Sequence, residues 1–205
     1  TKRLGDISMK IIEKDINKPI TYTYKDEIKK SMEFLAEDPK TLFLGYGIGK
    51  GTNKGGGFFA DINEDQLIET PVAEGLMLSM AIGLSLEGYK PVVFYERMDF
   101  LMNAMDALVN HLDKIDDISK GEFMPKVIIR CVVGGKKDPF LTGKTHTSDY
   151  TEGLRHMVKS HVVKLGDPKS IMGIYDAAYK TNRSCIIVEE KDAYANTSKD
   201  FQQVQ

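Results

Sequence analysis

An α/β fold, a three-layer parallel sheet with helices on both faces, is the architecture this sequence predicts. Apolar β-type runs alternate with helical stretches along most of the chain, the pattern of successive strand–helix–strand units. The runs "VIIRCVV" and "SCIIV" are nearly continuous in apolar character, as strands buried on both faces are. With 205 residues, 41% hydrophobic and 28% charged, the chain is long enough for one domain with a sizeable core.

The elements follow in order. Residues 1–20 alternate charge with apolar side chains and read as an N-terminal arm without the apolar core of a signal peptide. "YKDEIKKSMEFLAED" sets Ile28, Met32 and Leu35 on one face of a helix. "TLFL" is a short buried strand, and a glycine-rich loop, Gly45 to Gly57, leads through "QLIETP" into the next helix. That helix, "VAEGLMLSMAIGLSLEG", is nearly all apolar and predicted to be buried on most sides, with Gly88 as its stop. "KPVVFY" is the next strand. "DFLMNAMDALVNHLDKI" is helical, with Asp99 as its expected cap, and leads to the strand "KVIIRCVV". A polar loop from Gly134 to Tyr150 precedes a short helix, Thr151 to Met157. "HVVKL", a helix opened by "DPKS" and running to Lys180, and the strand "SCIIVEE" complete the domain, read over 21–190. The tail, 191–205, is polar and expected to be loosely ordered.

Composition excludes several functional classes. A formal net charge of −2 and a sequence pI of about 6.1, with scattered basic residues, give no long-range attraction for nucleic acid or anionic lipid. No apolar run approaches the roughly 20 residues of a membrane span. The two cysteines, Cys131 and Cys185, sit inside strand runs, without metal spacing, and read as core residues of a reducing, cytoplasmic setting.

Sites in parallel sheets lie beyond the carboxyl ends of the strands. The loops Gly45–Gly57, Glu96–Phe100 and Gly134–Tyr150 hold that position. The first, "GYGIGKGTNKGGG", is no Walker loop: only three residues separate Gly45 from Gly49-Lys50, and Gly51 stands where a hydroxyl should bind magnesium. Nor is it a dinucleotide loop, because Lys50 replaces the third glycine. The most informative side chain is Glu74, a carboxylate in the first turn of an otherwise apolar helix, where the helix dipole alone would favour it.

The stretches "LFLGYGIG", "GGGFF", "LIETPVAEGLMLSMAIGLSLEGYKPVVFYERMDF", "THTSDYTEGLRHM" and "HVVKLGDP" resemble the pyrimidine-binding domain of thiamine-diphosphate-dependent enzymes. The likeness is nearest to the β subunit of pyruvate-dehydrogenase-type 2-oxoacid dehydrogenases and runs from about Thr21 to Glu190. Its most specific parts are Thr-Pro-x-x-Glu, Gly-Tyr-Lys-Pro-Val, and His146 with a second histidine ten residues on.

The resemblance implies roles. Glu74 would hydrogen-bond a ring nitrogen of the cofactor's aminopyrimidine, favouring the imino tautomer whose exocyclic nitrogen takes the thiazolium proton. A dry pocket at an apolar helix start would raise the carboxyl pKa and so help it share that proton. Phe100, 26 residues after Glu74, matches an aromatic that stacks on the pyrimidine, and His146 matches an active-site histidine near the substrate. His156 matches the second histidine and would serve only to orient the loop.

Three departures qualify the likeness. Tyr46-Gly47 stand where the family has an acidic pair, and the family's C-terminal domain does not follow. The Gly-Asp of "LGDPKS" also lacks the Gly-Asp-Gly and downstream Asn that hold the diphosphate through Mg2+. No metal ligand is therefore assigned here. The resemblance implies half an active site: a diphosphate-binding α-type partner would hold Mg2+ and the diphosphate in a hetero-oligomer such as α₂β₂, acting on a 2-oxoacid or a ketose. The alternatives are transketolase-like ketol transfer on sugars, or a catalytically silent interaction subunit of the same fold.

Overall fold

Strands β1 (Thr41–Gly45), β2 (Leu67–Glu69), β3 (Lys90–Tyr95), β4 (Ile128–Val133), β5 (His161–Lys164) and β6 (Cys185–Glu190) pair in parallel, in the spatial order β2-β1-β3-β4-β6-β5. They belong to a computed structural model that describes residues 21–135 and 143–201. The arm read over 1–20, the centre of the Gly134–Tyr150 loop and the last four residues of the tail lie outside them.

Successive strand residues point to opposite faces, so each strand feeds two cores. Phe43, Val92, Phe94, Ile128, Val132 and Ile187 pack under α1 (Tyr24–Ala36) and α6 (Pro168–Lys180), against Ile28, Met32, Ile171 and Tyr175. Their neighbours Leu44, Val93, Tyr95, Ile129, Ile186 and Val188 face the other layer, built from α2 (Glu74–Leu86), α3 (Met98–Leu101) and α5 (Thr151–Met157). Each fully buried side chain of this size contributes about 1.5–3 kcal/mol. Both cysteines are free and buried, Cys131 in the second layer's core and Cys185 in the first. The predicted three-layer fold is the observed one.

Arg130, a charge within the apolar run of β4, is fully buried. It survives there because Glu189 on the neighbouring β6 neutralises it: Nε donates to Glu189 Oε1 and Nη2 to Oε2 at 3.0 Å. The carboxylate also accepts from Tyr175 at 3.2 Å and Tyr194 at 2.9 Å. The guanidinium lies 4.0 Å from the Phe58 ring centroid and 4.6 Å from that of Phe94. Burial, with the Glu189 charge adding to it, pushes both tyrosine hydroxyls well above their usual pKa, so they remain neutral donors.

Five expectations need correction. "LIE" of the connecting segment forms the edge strand β2, too short and half-exposed to show a strand pattern. Asp99 is not a cap, since the helix begins at Met98 after Arg97; its carboxylate instead accepts the Ser148 N–H at 3.2 Å. The helical run beyond it breaks into α3, a 3₁₀ turn at Met102–Ala104 and a π turn at Ala107–Leu112, followed by the short α4 (Ile115–Ile118). The first part of the tail is packed rather than loose: Thr197 bridges Thr23, and the Phe201 ring stacks on Tyr24 with centroids 6.1 Å apart. Finally, α2 is buried on one side only. Met77, Leu78, Ala81 and Ile82 enter the core, while Leu76 is 51% and Leu86 42% exposed.

Candidate functional site

The chain leaves β1 outward to β2 and then returns to place β3 on the other side of β1. That reversal opens a crevice beyond the carboxyl ends of β1 and β3, where open α/β sheets bind ligands. A cleft of about 300 Å³ lies there, lined by Tyr46, Val72, Glu74, Met77, Phe94 to Glu96 and Phe100.

Each lining residue is fixed by the element behind it. Pairing in β1 sets Gly45 opposite Phe94 of β3 and Glu69 of β2, and the Thr70 N–H continues the ladder to Gly45 O at 3.0 Å. Glu74, four residues on, is the first residue of α2, where the helix's unpaired N–H groups favour a carboxylate. Tyr95, at the end of β3 and 2% exposed, donates its hydroxyl to Glu74 O at 2.9 Å and ties the helix start to the sheet. Burial, reinforced by the nearby Glu74 charge, pushes the Tyr95 hydroxyl well above its usual pKa, so the donor keeps its proton.

Phe100 lies on α3 and His146 on a 3₁₀ turn, Lys144–His146, of the polar loop. Their rings meet edge to face, with centroids 5.2 Å apart and planes at 81°. The loop is held to α3 by Ser148 N–H on Asp99 and by Tyr150 N–H on Met98 Sδ at 3.2 Å. Gly134 allows the approach: a Cβ there would lie 1.8 Å from His146 O. Thr145 Oγ1 is 3.0 Å from His146 Nδ1.

The three residues singled out in the sequence therefore gather at one crevice, Glu74 and Phe100 as cleft walls and His146 against Phe100. His156 is exposed on α5 and is not among the residues that line the cleft. Glu74 is half-buried, so the dry pocket expected around it is not completed by this chain.

The glycine loop has a different occupant from the one first suspected of such a loop. The N–H groups of Gly47, Ile48 and Gly49 converge on the Glu69 carboxylate at 2.8, 2.9 and 2.6 Å, making an anion nest that the chain fills itself. Sequence reasoning missed Glu69 and Tyr95, and named Tyr46 only as a departure from the family's acidic pair. The position of Glu69 directly before Thr70-Pro71, and of Tyr95 at the carboxyl end of an apolar strand, are signals in the sequence that could have pointed to them. Among the described residues no group of three or more His, Cys, Asp or Glu side chains is placed to hold a metal ion, and no helix is long and apolar enough to cross a membrane.

The family model described as transketolase, pyrimidine binding domain, matches residues 25–197. The 2-oxoisovalerate dehydrogenase subunit beta of Bacillus subtilis (strain 168) is 24% identical over 180 residues, 84% of this chain and 53% of that protein. The mitochondrial pyruvate dehydrogenase E1 component subunit beta of Ascaris suum is 21% identical over 179 residues, 85% of this chain and 49% of that protein. This chain thus spans about half the length of these relatives. A solved chain described as split gene transketolase, inactive beta4 tetramer, matches with a TM-score of 0.65 at 17% identity, over 83% of this chain and 52% of that one. At that identity the likeness establishes the fold.

Proposed function

Because the chain belongs to the transketolase pyrimidine-binding domain family, we propose that it is the pyrimidine-binding subunit of a split thiamine-diphosphate-dependent enzyme that decarboxylates a 2-oxoacid or transfers its acyl or ketol fragment. The observation that carries this reading is the crevice at the strand reversal, where Glu74, Phe100 and His146 converge. Its walls suit a flat aromatic heterocycle: Val72, Met77, Phe94 and Phe100 are apolar, and the Glu74 carboxyl is available to a ring nitrogen.

When bound, thiamine diphosphate supplies the carbon nucleophile that cleaves next to a carbonyl. The chain's own residues prepare that chemistry. Glu74 holds a proton at the pyrimidine ring nitrogen, and Tyr95 fixes the helix start that carries it. Phe100 sets the ring plane by offset or edge contact. His146, braced by Phe100, faces the substrate side and moves a proton to or from substrate oxygen.

A separate α-type chain holds the diphosphate and Mg2+. Asp167 of "LGDPKS" supports this division, because its carboxylate is engaged as the cap of α6, accepting the Lys169 N–H at 3.0 Å. The exposed side of α2, with Leu76 and Leu86, and the exposed Val72 at the cleft mouth are the surfaces a partner covers. Covering them also completes the dry environment of Glu74.

Calorimetry of thiamine diphosphate with Mg2+ tests the proposal. The chain alone should bind weakly or not at all, and the co-purified complex should bind tightly. Tight, Mg2+-dependent binding to the chain alone would refute the split site. Product analysis of the complex with a 2-oxoacid and with a ketose then fixes the reaction.

A further inference from the structure

Three consecutive N–H groups pointing at one carboxylate make a strong, directional contact, since hydrogen bonds to a charged acceptor are about twice as strong as neutral ones. In the glycine loop, Gly47 donates to Glu69 Oε1, and Ile48 and Gly49 both donate to Oε2. The nest requires the left-handed backbone of Gly47, whose φ is +73°. It also requires Gly49 to lack a side chain: a Cβ there would lie 2.8 Å from Glu69 Cβ and 3.0 Å from Oε2. Glu69 is exposed, so hydrogen bonds rather than apolar packing hold it in place.

Two contacts hold the peptides that flank Tyr46, one of them this carboxylate. Gly45 O is bound by the Thr70 N–H, and the Gly47 N–H by Glu69. Tyr46 is 51% exposed yet lines the same cleft as Glu74 and Phe100, so the burial of its own ring does not set its position. The same short segment, Glu69-Thr70, leads directly into the turn that ends at Glu74. With the β1–β2 ladder fixing the peptide before Tyr46, the Glu69 carboxylate fixes the peptide after it and so sets the Tyr46 wall of the cleft.

On the reading of the cleft as a pyrimidine site, we infer that Glu69 is a positioning residue for cofactor binding: its carboxylate latches the glycine loop so that Tyr46 closes one side of the ring cleft. It touches no reacting atom. Its loss weakens cofactor binding and leaves the chemistry at saturation intact, the opposite of a loss at Glu74.

Three variants test this: Glu69→Ala empties the nest, Glu69→Gln keeps its shape without the charge, and Gly49→Ala displaces the carboxylate from the other side. In the full chain without cofactor, amide exchange at Gly47, Ile48 and Gly49 should rise about 10- to 100-fold in Glu69→Ala, the worth of a hydrogen bond to a charged group. Glu69→Gln should fall between that and the parent. Acetate should enter the emptied nest and slow exchange in Glu69→Ala, but not in Gly49→Ala, whose new methyl occupies the space a carboxylate needs. In the complex with the diphosphate-binding chain, Glu69→Ala should need more thiamine diphosphate for half-maximal turnover while kcat at saturation stays near the parent's. Unchanged amide exchange in Glu69→Ala would overturn the latch. Faster exchange with unchanged cofactor dependence would overturn the positioning role. Neither result touches the pyrimidine-site reading, which stands or falls on Glu74→Gln.

Discussion

Replacing Gly83 on the exposed side of α2 separates what the chain needs for itself from what it needs for a partner. A glycine in a helix interior costs about 1 kcal/mol relative to alanine, and here no internal contact offsets that cost, since a Cβ at Gly83 meets no atom within 4 Å. Gly83→Ala should therefore stabilise the isolated chain by about 1 kcal/mol and raise its melting temperature by about 2–4 °C, the shift expected for a chain of this size. Leucine has nearly alanine's helix propensity, so Gly83→Leu should do almost the same. In the proposed assembly the sign reverses. Gly83 lies four residues from the exposed Ser79 and three from the exposed Leu86, on a face where a second helix can approach to the usual 8–10 Å between axes. Forcing a leucine into such a contact costs about 1–3 kcal/mol, roughly 5- to 150-fold in affinity.

Thermal melts of the isolated chain and sedimentation of the co-purified complex read the two effects separately. A Gly83→Leu chain that is more stable and assembles with the parent's affinity would show that this face of α2 meets no partner. A chain destabilised by Gly83→Ala would show that a neighbouring group crowds Gly83.

Other outcomes follow from the same geometry. Glu74→Gln in the complex should retain cofactor but slow hydrogen–deuterium exchange at the thiazolium carbon by about 10²–10⁴-fold; exchange at the parent rate would reduce Glu74 to a helix-start carboxylate. His146→Ala should leave cofactor affinity nearly intact and lower kcat, and an unchanged kcat would remove it from the mechanism. Glu189→Ala strands the buried Arg130 charge and should cost about 3–5 kcal/mol, measurable by urea unfolding; a loss under 1 kcal/mol, about the worth of a surface pair, would refute the burial argument. Asp149 carries the pH prediction. Burial pushes its carboxyl up, but Lys164 at 2.8 Å and the Thr151 hydroxyl and N–H outweigh that and hold it at about 2. Its contribution is then fully present above the unfolded value of about 3.9 and is lost as pH falls through about 2. With its side chain 38% exposed, the pair is worth under about 1 kcal/mol. The stability gap between Asp149→Asn and the parent should be present at neutral pH and close towards pH 2; a gap independent of pH would deny the ion pair.

What the sequence disclosed and what it hid divide along physical lines. Long periodic or continuous apolar segments announce themselves, and the helices Thr151–Met157 and Pro168–Lys180 end where the sequence signals place them. β2 stayed hidden because two half-buried residues and the exposed Glu69 carry no pattern, and its pairing is decided by β1 alone. Asp99 looked like a cap because its residue type suits one, yet the backbone turns helical a residue earlier and frees the carboxylate for the His146 loop. Glu74, Phe100 and His146 were legible as positions in a motif. Their convergence was not, because it depends on Gly134 yielding space to the loop and on β1–β3 register.

The failed expectation about the burial of α2 bears on function. A helix as apolar as α2 should be covered on most sides, and within this chain it is covered on one. Leaving Leu76 and Leu86 in water forgoes up to about 1.5–3 kcal/mol each, and a helix exposed in this way gains nothing from Ser79 and Gly83 beside them except room. The same helix begins with Glu74, which is only half-buried and needs a drier setting to hold a proton at a ring nitrogen. A partner laid over α2 and the mouth of the cleft would meet both needs with one surface. Assembly should therefore change the environment of Glu74 itself: its carboxyl carbon-13 resonance in selectively labelled chain should move when the partner is added, before any cofactor is present. An identical resonance in both states would separate the helix face from the site and remove the link between assembly and activation.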